Sequence, residues 1–225
     1  MELDLFILHL LNGSDSIFLD RFIVTLTHGV AWIPMYIMLA FLVIKNNKTM
    51  PQILLIFGCG VLGVLLSGVL SDLIIKPIVM RSRPCYDPMW KDMVQTVSGY
   101  RASGYSFFSS HAANTFSLAI FFTLLVRSRL LGTTLILWSL FNAYTRIYLG
   151  VHWFTDVLTG LVWGAIVGVS MYMLYRYVFY RMSPKVKYIS SQYTSTGYSY
   201  DDIYVCVSIV VFTVIYGIFR AIVYV

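Results

Sequence analysis

The sequence predicts an all-α polytopic membrane bundle of about six transmembrane helices behind a short N-terminal interfacial helix. Three observations predict it. The chain of 225 residues is 59% hydrophobic and only 12% charged, with a mean hydropathy of +0.77, whereas soluble domains carry roughly 25% charged residues. Six apolar stretches approach the ~20 residues that a bilayer crossing requires. The charged residues fall mostly between these stretches or at their ends.

In chain order, residues 3–11 are apolar but too short to span, and read as an interfacial helix. Spans are expected near 22–44, 52–75, 111–126, 130–149, 157–180 and 203–225. Residues 1–182 form the main domain. A polar, Ser- and Tyr-rich linker at 183–202 leads to the additional last span. The other long connection, 77–110, is rich in Pro, Arg, Ser, Gly and aromatics. Gly58, Gly60, Gly63 and Gly68 in the second span are read as small residues that permit close helix approach.

The net charge of +6 invites a nucleic-acid reading. The basic residues form no run or single face, however, so lipid phosphates and membrane orientation are the expected partners. Cys59, Cys85 and Cys206 lack metal or disulfide spacing. No cleavable signal peptide is expected, because Glu2 and Asp4 stand where a basic region would be. Loops after the first, third and fifth spans hold Lys45 and Lys48, Arg127 and Arg129, then Arg181, Lys185 and Lys187. The positive-inside rule places that side in the cytoplasm. The 77–110 loop and the turn before the fifth span then face outward.

Three clusters of ionisable residues lie at span ends on this outer side, where such residues are functional candidates. Lys76, six residues, then Arg83-Pro84 closes the second span; two cations suit an anion, Arg as a fork and Lys as a point charge. Asp72, four residues before Lys76, offers that lysine an alternative helical ion pair. Phe108-Ser109-Ser110-His111 opens the third span, where a serine cap directs backbone N–H groups at an anion. Thr145-Arg146, five residues, His152, three residues and Asp156 complete the set. At the start of the fifth span, His152 and Asp156 would share a face, the carboxylate fixing the imidazole tautomer for nucleophilic work. A metal site from His111, His152, Asp156 and Asp72 is disfavoured by the surrounding cations. His9 and His28 read as packing or interfacial residues.

These motifs in this order resemble the signature of the type 2 phosphatidic acid phosphatase superfamily: K-x6-R-P, P-S-G-H and S-R-x5-H-x3-D. Thr145 replaces the first serine of the third motif, and Phe108 and Ser110 stand where the second has proline and glycine. The resemblance implies that His152 attacks phosphorus, Asp156 orients it and His111 protonates the leaving oxygen. Lys76, Arg83, Arg146, Ser109 and Ser110 would hold the phosphoryl group, with neither metal nor cofactor. It further implies a phosphorylated membrane lipid as substrate and a bacterial inner-membrane enzyme whose site faces the periplasm. Undecaprenyl diphosphate and lipid A phosphate are the first candidates, followed by phosphatidylglycerophosphate and phosphatidic acid. An anion transporter and a catalytically silent scaffold are the alternatives from other classes; the sequence says nothing of oligomeric state.

Overall fold

A computed structural model of the chain describes residues 1–182 and 191–223. The first eight residues of the 183–202 linker, with Lys185 and Lys187, and the last two residues of the final span lie outside the described residues. The described elements are helical apart from one isolated antiparallel bridge, Tyr193 to Ser199.

Helix α1 (Glu2–Leu11) is the short opening helix; α2 (Ile17–Thr27) starts at Ser16, whose hydroxyl accepts the Leu19 amide at 3.3 Å. The stretch expected as one span at 22–44 is broken. Helix α2 stops at Thr27, a 3-10 turn runs Gly29–Trp32, and α3 (Ile33–Asn46) begins with Pro34 in its first turn. Proline lacks an amide hydrogen and is favoured in a first turn. The Trp32 indole donates to the Leu26 carbonyl at 2.7 Å, so an acceptor left free by the break is satisfied. Gly29–Asn46 is still long and apolar enough to cross a membrane.

Helix α4 (Met50–Val64) passes through two π-helical turns, Leu65–Val69 and Ser71–Ile75, into the single turn α5 (Lys76–Val79). Met80, in a left-handed conformation (φ 51°), ends it. There follow α6 (Ser110–Val126), α7 (Arg129–Tyr148), α8 (Phe154–Met182) and α9 (Tyr200–Val223). Met50–Tyr86, Phe154–Arg181 and Tyr200–Val223 join Gly29–Asn46 as stretches able to span; α6 is a shorter apolar helix. Helix α7 is long but less apolar, and its Ser139, Asn142, Thr145 and Arg146 are buried. Leu54, Leu73, Ile78, Phe212 and Phe219 are more than half exposed, as lipid-facing residues are.

Helix α6 lies along both α7 and α8, and α9 covers α2 and α3. Of the four glycines expected to permit close approach, two do and two do not. A Cβ at Gly58 or Gly60 would meet nothing within 4 Å, while one at Gly63 would come within 3.3 Å of the Met171 side chain and one at Gly68 within 2.6 Å of the Asn114 side chain. Backbone-to-backbone approach is made by Gly160, Gly164 and Gly168 of α8. A Cβ there would sit 2.5 Å from the carbonyl oxygens of Ser109 and Ala113, and 2.6 Å from that of Ser117. Where lipid removes the hydrophobic drive between helices, such backbone contact supplies the dispersion energy. It also fixes the start of α6 against the start of α8.

At the far end, Lys45 pairs with Asp202 at 2.6 Å, and Asn46 donates to the same carboxylate at 3.0 Å. These contacts fasten α9, which begins at Tyr200, slightly earlier than expected, to the end of α3.

Candidate active site

All three sequence clusters meet at one end of the bundle, opposite Lys45 and Asp202. Helix α7 ends at Tyr148, and the turn 149–153 leads into α8. Gly150 makes this turn in the left-handed region (φ 65°), and a Cβ there would collide with the Val94 side chain. The Arg146 carbonyl accepts the amides of Val151 and His152, which brings His152 back over its own helix end. His152 therefore lies on this turn, ahead of α8, rather than on the face of a regular helix.

His152 is buried, and its Nδ1 stands 3.6 Å from Asp156 Oδ2, an ion-pair distance longer than a hydrogen bond. Its Nε2 faces Arg83 Nη1 at 3.2 Å. Guanidinium has no acceptor, so this contact requires an unprotonated Nε2 and leaves the ring hydrogen on Nδ1, towards Asp156. Burial pushes the His152 pKa down to about 4, against the opposing pull of Asp156 and with the Arg83 charge adding to the depression. The imidazole is neutral at neutral pH. A neutral ring with an exposable lone pair on Nε2 is the form a nucleophile needs.

Arg83 does not share a helix with Lys76, because Met80 ends that helix. It is extended, and its guanidinium donates to the carbonyls of Ser103 (2.9 Å), Gly104 (3.0 Å) and Val151 (2.8 Å). The long loop and the 149–153 turn thus hold it in a fixed orientation beside His152. Lys76 is buried and paired with Asp72 at 2.6 Å, the alternative its i, i+4 spacing offered. Ser110 completes this group: its Oγ donates to Asp72 at 3.0 Å and accepts from Lys76 at 3.3 Å. Ser109, fully buried, is the cap of α6; its Oγ accepts the Ala112 amide, while its own amide donates to the Asp156 carbonyl.

Arg146 is buried at the end of α7. Its Nε donates to Thr145 Oγ1 at 3.3 Å, and Nη1 to the Tyr100 hydroxyl at 3.2 Å. Its Nη2 is buried without a partner among the described residues, as is Nε2 of His111. Asn142 of α7 lies within reach of the His111 ring. A buried guanidinium arm and a buried ring nitrogen without partners are costly unless a ligand completes them. The arrangement offers a neutral nucleophile, fixed guanidinium donors and a second histidine around one volume.

Three residues outside the motif clusters also belong to the site. Tyr100 supports Arg146 by its hydroxyl and under its guanidinium, 5.6 Å from the ring centre. Arg81 donates to Asp156 Oδ1 at 2.6 Å and to Asp4 Oδ2 at 2.6 Å. Asp4 of α1 is 2% exposed. Beside the site, a cavity of about 470 Å³ opens between α3, α4 and α6, lined by Leu39, Ile56, Val64, Leu118 and Phe122 and reaching His111 and Asn114.

The chain has relatives among known proteins. It is 35% identical over 179 residues to the lipid A 4'-phosphatase of Bacteroides thetaiotaomicron, covering 77% of each chain. It is 37% identical to the lipid A 4'-phosphatase of Porphyromonas gingivalis, covering 74% of this chain and 70% of that one. The undecaprenyl-diphosphatase BcrC of Bacillus subtilis is 27% identical, over 72% of this chain and 77% of its own. No solved structure matches the chain with significance. The family description of the PAP2 superfamily matches residues 53–182, a segment that contains every motif residue of the site. With the three motif clusters gathered at one end of a helical membrane bundle, the chain belongs to the PAP2 superfamily.

Proposed function

We propose that this membrane protein is a lipid phosphatase that removes phosphate from a lipid A-type head group through a phosphohistidine intermediate. The observation that carries the reading is the orientation of His152, with Nε2 free of hydrogen and Nδ1 towards Asp156. Family membership and the phosphatase relatives support the reaction class. Greater identity to the two lipid A 4'-phosphatases favours that head group, and the undecaprenyl-diphosphatase relative makes a polyprenyl diphosphate the second reading. The apolar cavity ending at His111 suits a lipid chain whose phosphate lies at the site.

In this mechanism His152 Nε2 attacks phosphorus as the phosphorus–oxygen bond to the lipid breaks. His111 Nε2 gives its proton to the departing oxygen, and the phosphoryl dianion supplies the negative charge that an imidazolium at His111 needs. Water then attacks the phosphohistidine, His111 takes a proton from it, and inorganic phosphate leaves. Arg83, Arg146 and Lys76 neutralise charge spread over the phosphoryl oxygens, the main requirement of such a transition state. Lys76 reaches it after partial release from Asp72. Their combined charge opposes a divalent metal in the same volume.

We place the site on the periplasmic face of the inner membrane. Lys45, Arg127 and Arg129 lie at the other end, and three of the cations at the site end are engaged: Lys76 by Asp72, Arg81 by Asp4 and Asp156, Arg83 by carbonyls. The main unit at 1–182, the linker and the added last span are proposed as the domain plan.

Phosphate release by detergent-purified protein, with chelator present, tests the proposal on lipid A, undecaprenyl diphosphate, phosphatidylglycerophosphate and phosphatidic acid. Preference for lipid A with a dead His152→Ala variant is expected. Release from none of them, or turnover by His152→Ala above a tenth of wild type, overturns it.

A further inference from the structure

We propose that Asp4 and Arg81 are positioning residues for the nucleophile: Asp4 of the N-terminal helix holds Arg81, which fixes Asp156 behind His152. The inference rests on the reading of His152 as nucleophile. It begins with an anomaly in α1. The helix is apolar, yet Asp4 lies with Leu8 on its buried face, one turn apart. A buried carboxylate is tolerated only when it is paired and hydrogen-bonded.

Asp4 is fully engaged. One oxygen accepts the Thr155 amide at 2.8 Å; the other accepts the Thr155 hydroxyl at 2.9 Å and Arg81 Nη2 at 2.6 Å. These contacts hold the carboxylate ionised and its pKa below the usual range, against the burial that pushes it up. Arg81 Nη1 meets Thr155 Oγ1 at 2.7 Å and Asp156 Oδ1 at 2.6 Å, and the guanidinium lies 5.2 Å from the Trp153 ring centre. The two ends of one planar fork thus bridge two buried carboxylates, a geometry that lysine cannot reproduce.

The consequence falls on Asp156. With Oδ1 taken by Arg81, Oδ2 is left for the Trp153 amide at 3.0 Å and for His152. Arg81 thereby sets which carboxylate oxygen faces the imidazole and offsets much of its charge. Among the described residues neither Asp4 nor Arg81 hydrogen-bonds to His152 or Arg83, so each acts through Asp156. The charged groups facing His152 are Asp156 from α8, Arg83 from the segment after α5, and Lys76 from α5, with His111 of α6 near by. Removing the Arg81 charge leaves the Asp156 anion uncompensated, which favours imidazolium and lowers the neutral fraction of His152.

Kinetics of Asp4→Asn, Arg81→Gln, Arg81→Lys, the Asp4→Asn/Arg81→Gln double variant and His152→Ala test the proposal on the lipid that the wild type hydrolyses best. Each single substitution of Asp4 or Arg81 is expected to lower kcat about ten- to a hundredfold with KM changed less than about twofold, as for misplaced reacting groups. The double variant should be no worse than Arg81→Gln, since both act on one link. The acid limb of kcat/KM should move to higher pH in Arg81→Gln and move less in Arg81→Lys. Unchanged kcat in Arg81→Lys and Asp4→Asn overturns the proposal, as does an unmoved acid limb with losses that follow only the amount of folded protein. If Arg81→Gln and Asp4→Asn fail to fold, Arg81→Lys decides: wild-type kcat overturns the proposal, and a lowered kcat at unchanged KM supports it. An active His152→Ala overturns the nucleophile reading, and the relay with it. A dead His152→Ala beside a fully active Asp4→Asn overturns the relay alone.

Discussion

Ser110 Oγ donates to Asp72 Oδ1 at 3.0 Å, at the position where the PAP2 signature has a glycine. The hydroxyl therefore joins the Asp72–Lys76 pair rather than blocking the helix start. In the proposed mechanism a carboxylate within this pair competes with the phosphoryl group for Lys76. Asp72→Asn should lower KM for the lipid about threefold, roughly the strength of one partly exposed ion pair. Ser110→Gly should stay within about threefold of wild-type kcat/KM, since Lys76 and Asp72 keep each other as partners when the hydroxyl is lost. Steady-state kinetics in mixed micelles checks both. A raised KM in Asp72→Asn would show that the carboxylate aims Lys76 instead of occupying it.

Arg146 needs its planar fork, one arm on Tyr100 and one free inside the site. Arg146→Lys should lower kcat/KM by about a hundredfold, because an ammonium cannot keep both directions. Tyr100→Phe should cost about fivefold, the worth of one hydrogen bond of roughly 1 kcal/mol. The ratio of the two losses, measured on the same lipid, separates direct phosphate contact from support of the guanidinium.

The depressed pKa of His152 has a stability consequence with a definite sign. An unfolded histidine binds its proton below ~6.5, whereas the buried ring stays neutral down to about 4. The unfolded state holds the extra proton between these values, so stability falls as pH falls through that window. The slope from this group approaches ~1.4 kcal/mol per pH unit. Thermal unfolding in detergent between pH 7 and 4 should show a shallower acid loss in His152→Asn than in the wild type. Equal slopes would remove His152 as a source of acid sensitivity.

Gly164 and Gly58 should respond to alanine in opposite ways. A Cβ at Gly164 meets the Ala113 carbonyl at 2.5 Å, and neither helix backbone can yield locally. Gly164→Ala should destabilise by about 1–3 kcal/mol through overpacking. Gly58 faces open space, and Gly58→Ala should be neutral or stabilising by up to ~1 kcal/mol from helix propensity. Detergent melting curves of the two variants distinguish these outcomes directly.

Much of the site was legible because its residues are unusual for their surroundings. Lys76, Arg83, His111, Arg146, His152 and Asp156 are polar groups at the ends of apolar stretches, where each requires a reason. The spacing of Asp72 to Lys76 also anticipated their ion pair. The break at His28 was not legible from hydropathy, which runs on unchanged past it; Gly29 and Pro34 mark it only once the turn is seen. Tyr100 was lost among the many aromatics of a loop that reads as interfacial. Arg81 and Asp4 meet across 77 residues, a pairing that no local period encodes. One signal did exist: the helical period sets Asp4 on the same face as Leu8, an acid on the apolar side of a short helix.

The glycine stripe of α8 bears on how the site meets its lipid. Because main chain touches main chain at Ser109, Ala113 and Ser117, the spacing between the helix carrying His111 and the turn carrying His152 is set by backbone geometry. Side-chain repacking has little leverage on it. In the proposed mechanism α6 and α8 are the frame for acid and nucleophile, and accommodation of lipids of differing girth would fall to α3 and α4 across the cavity. Changes in bilayer thickness or fluidity should therefore alter how fast a lipid is admitted far more than how fast its phosphate is cleaved.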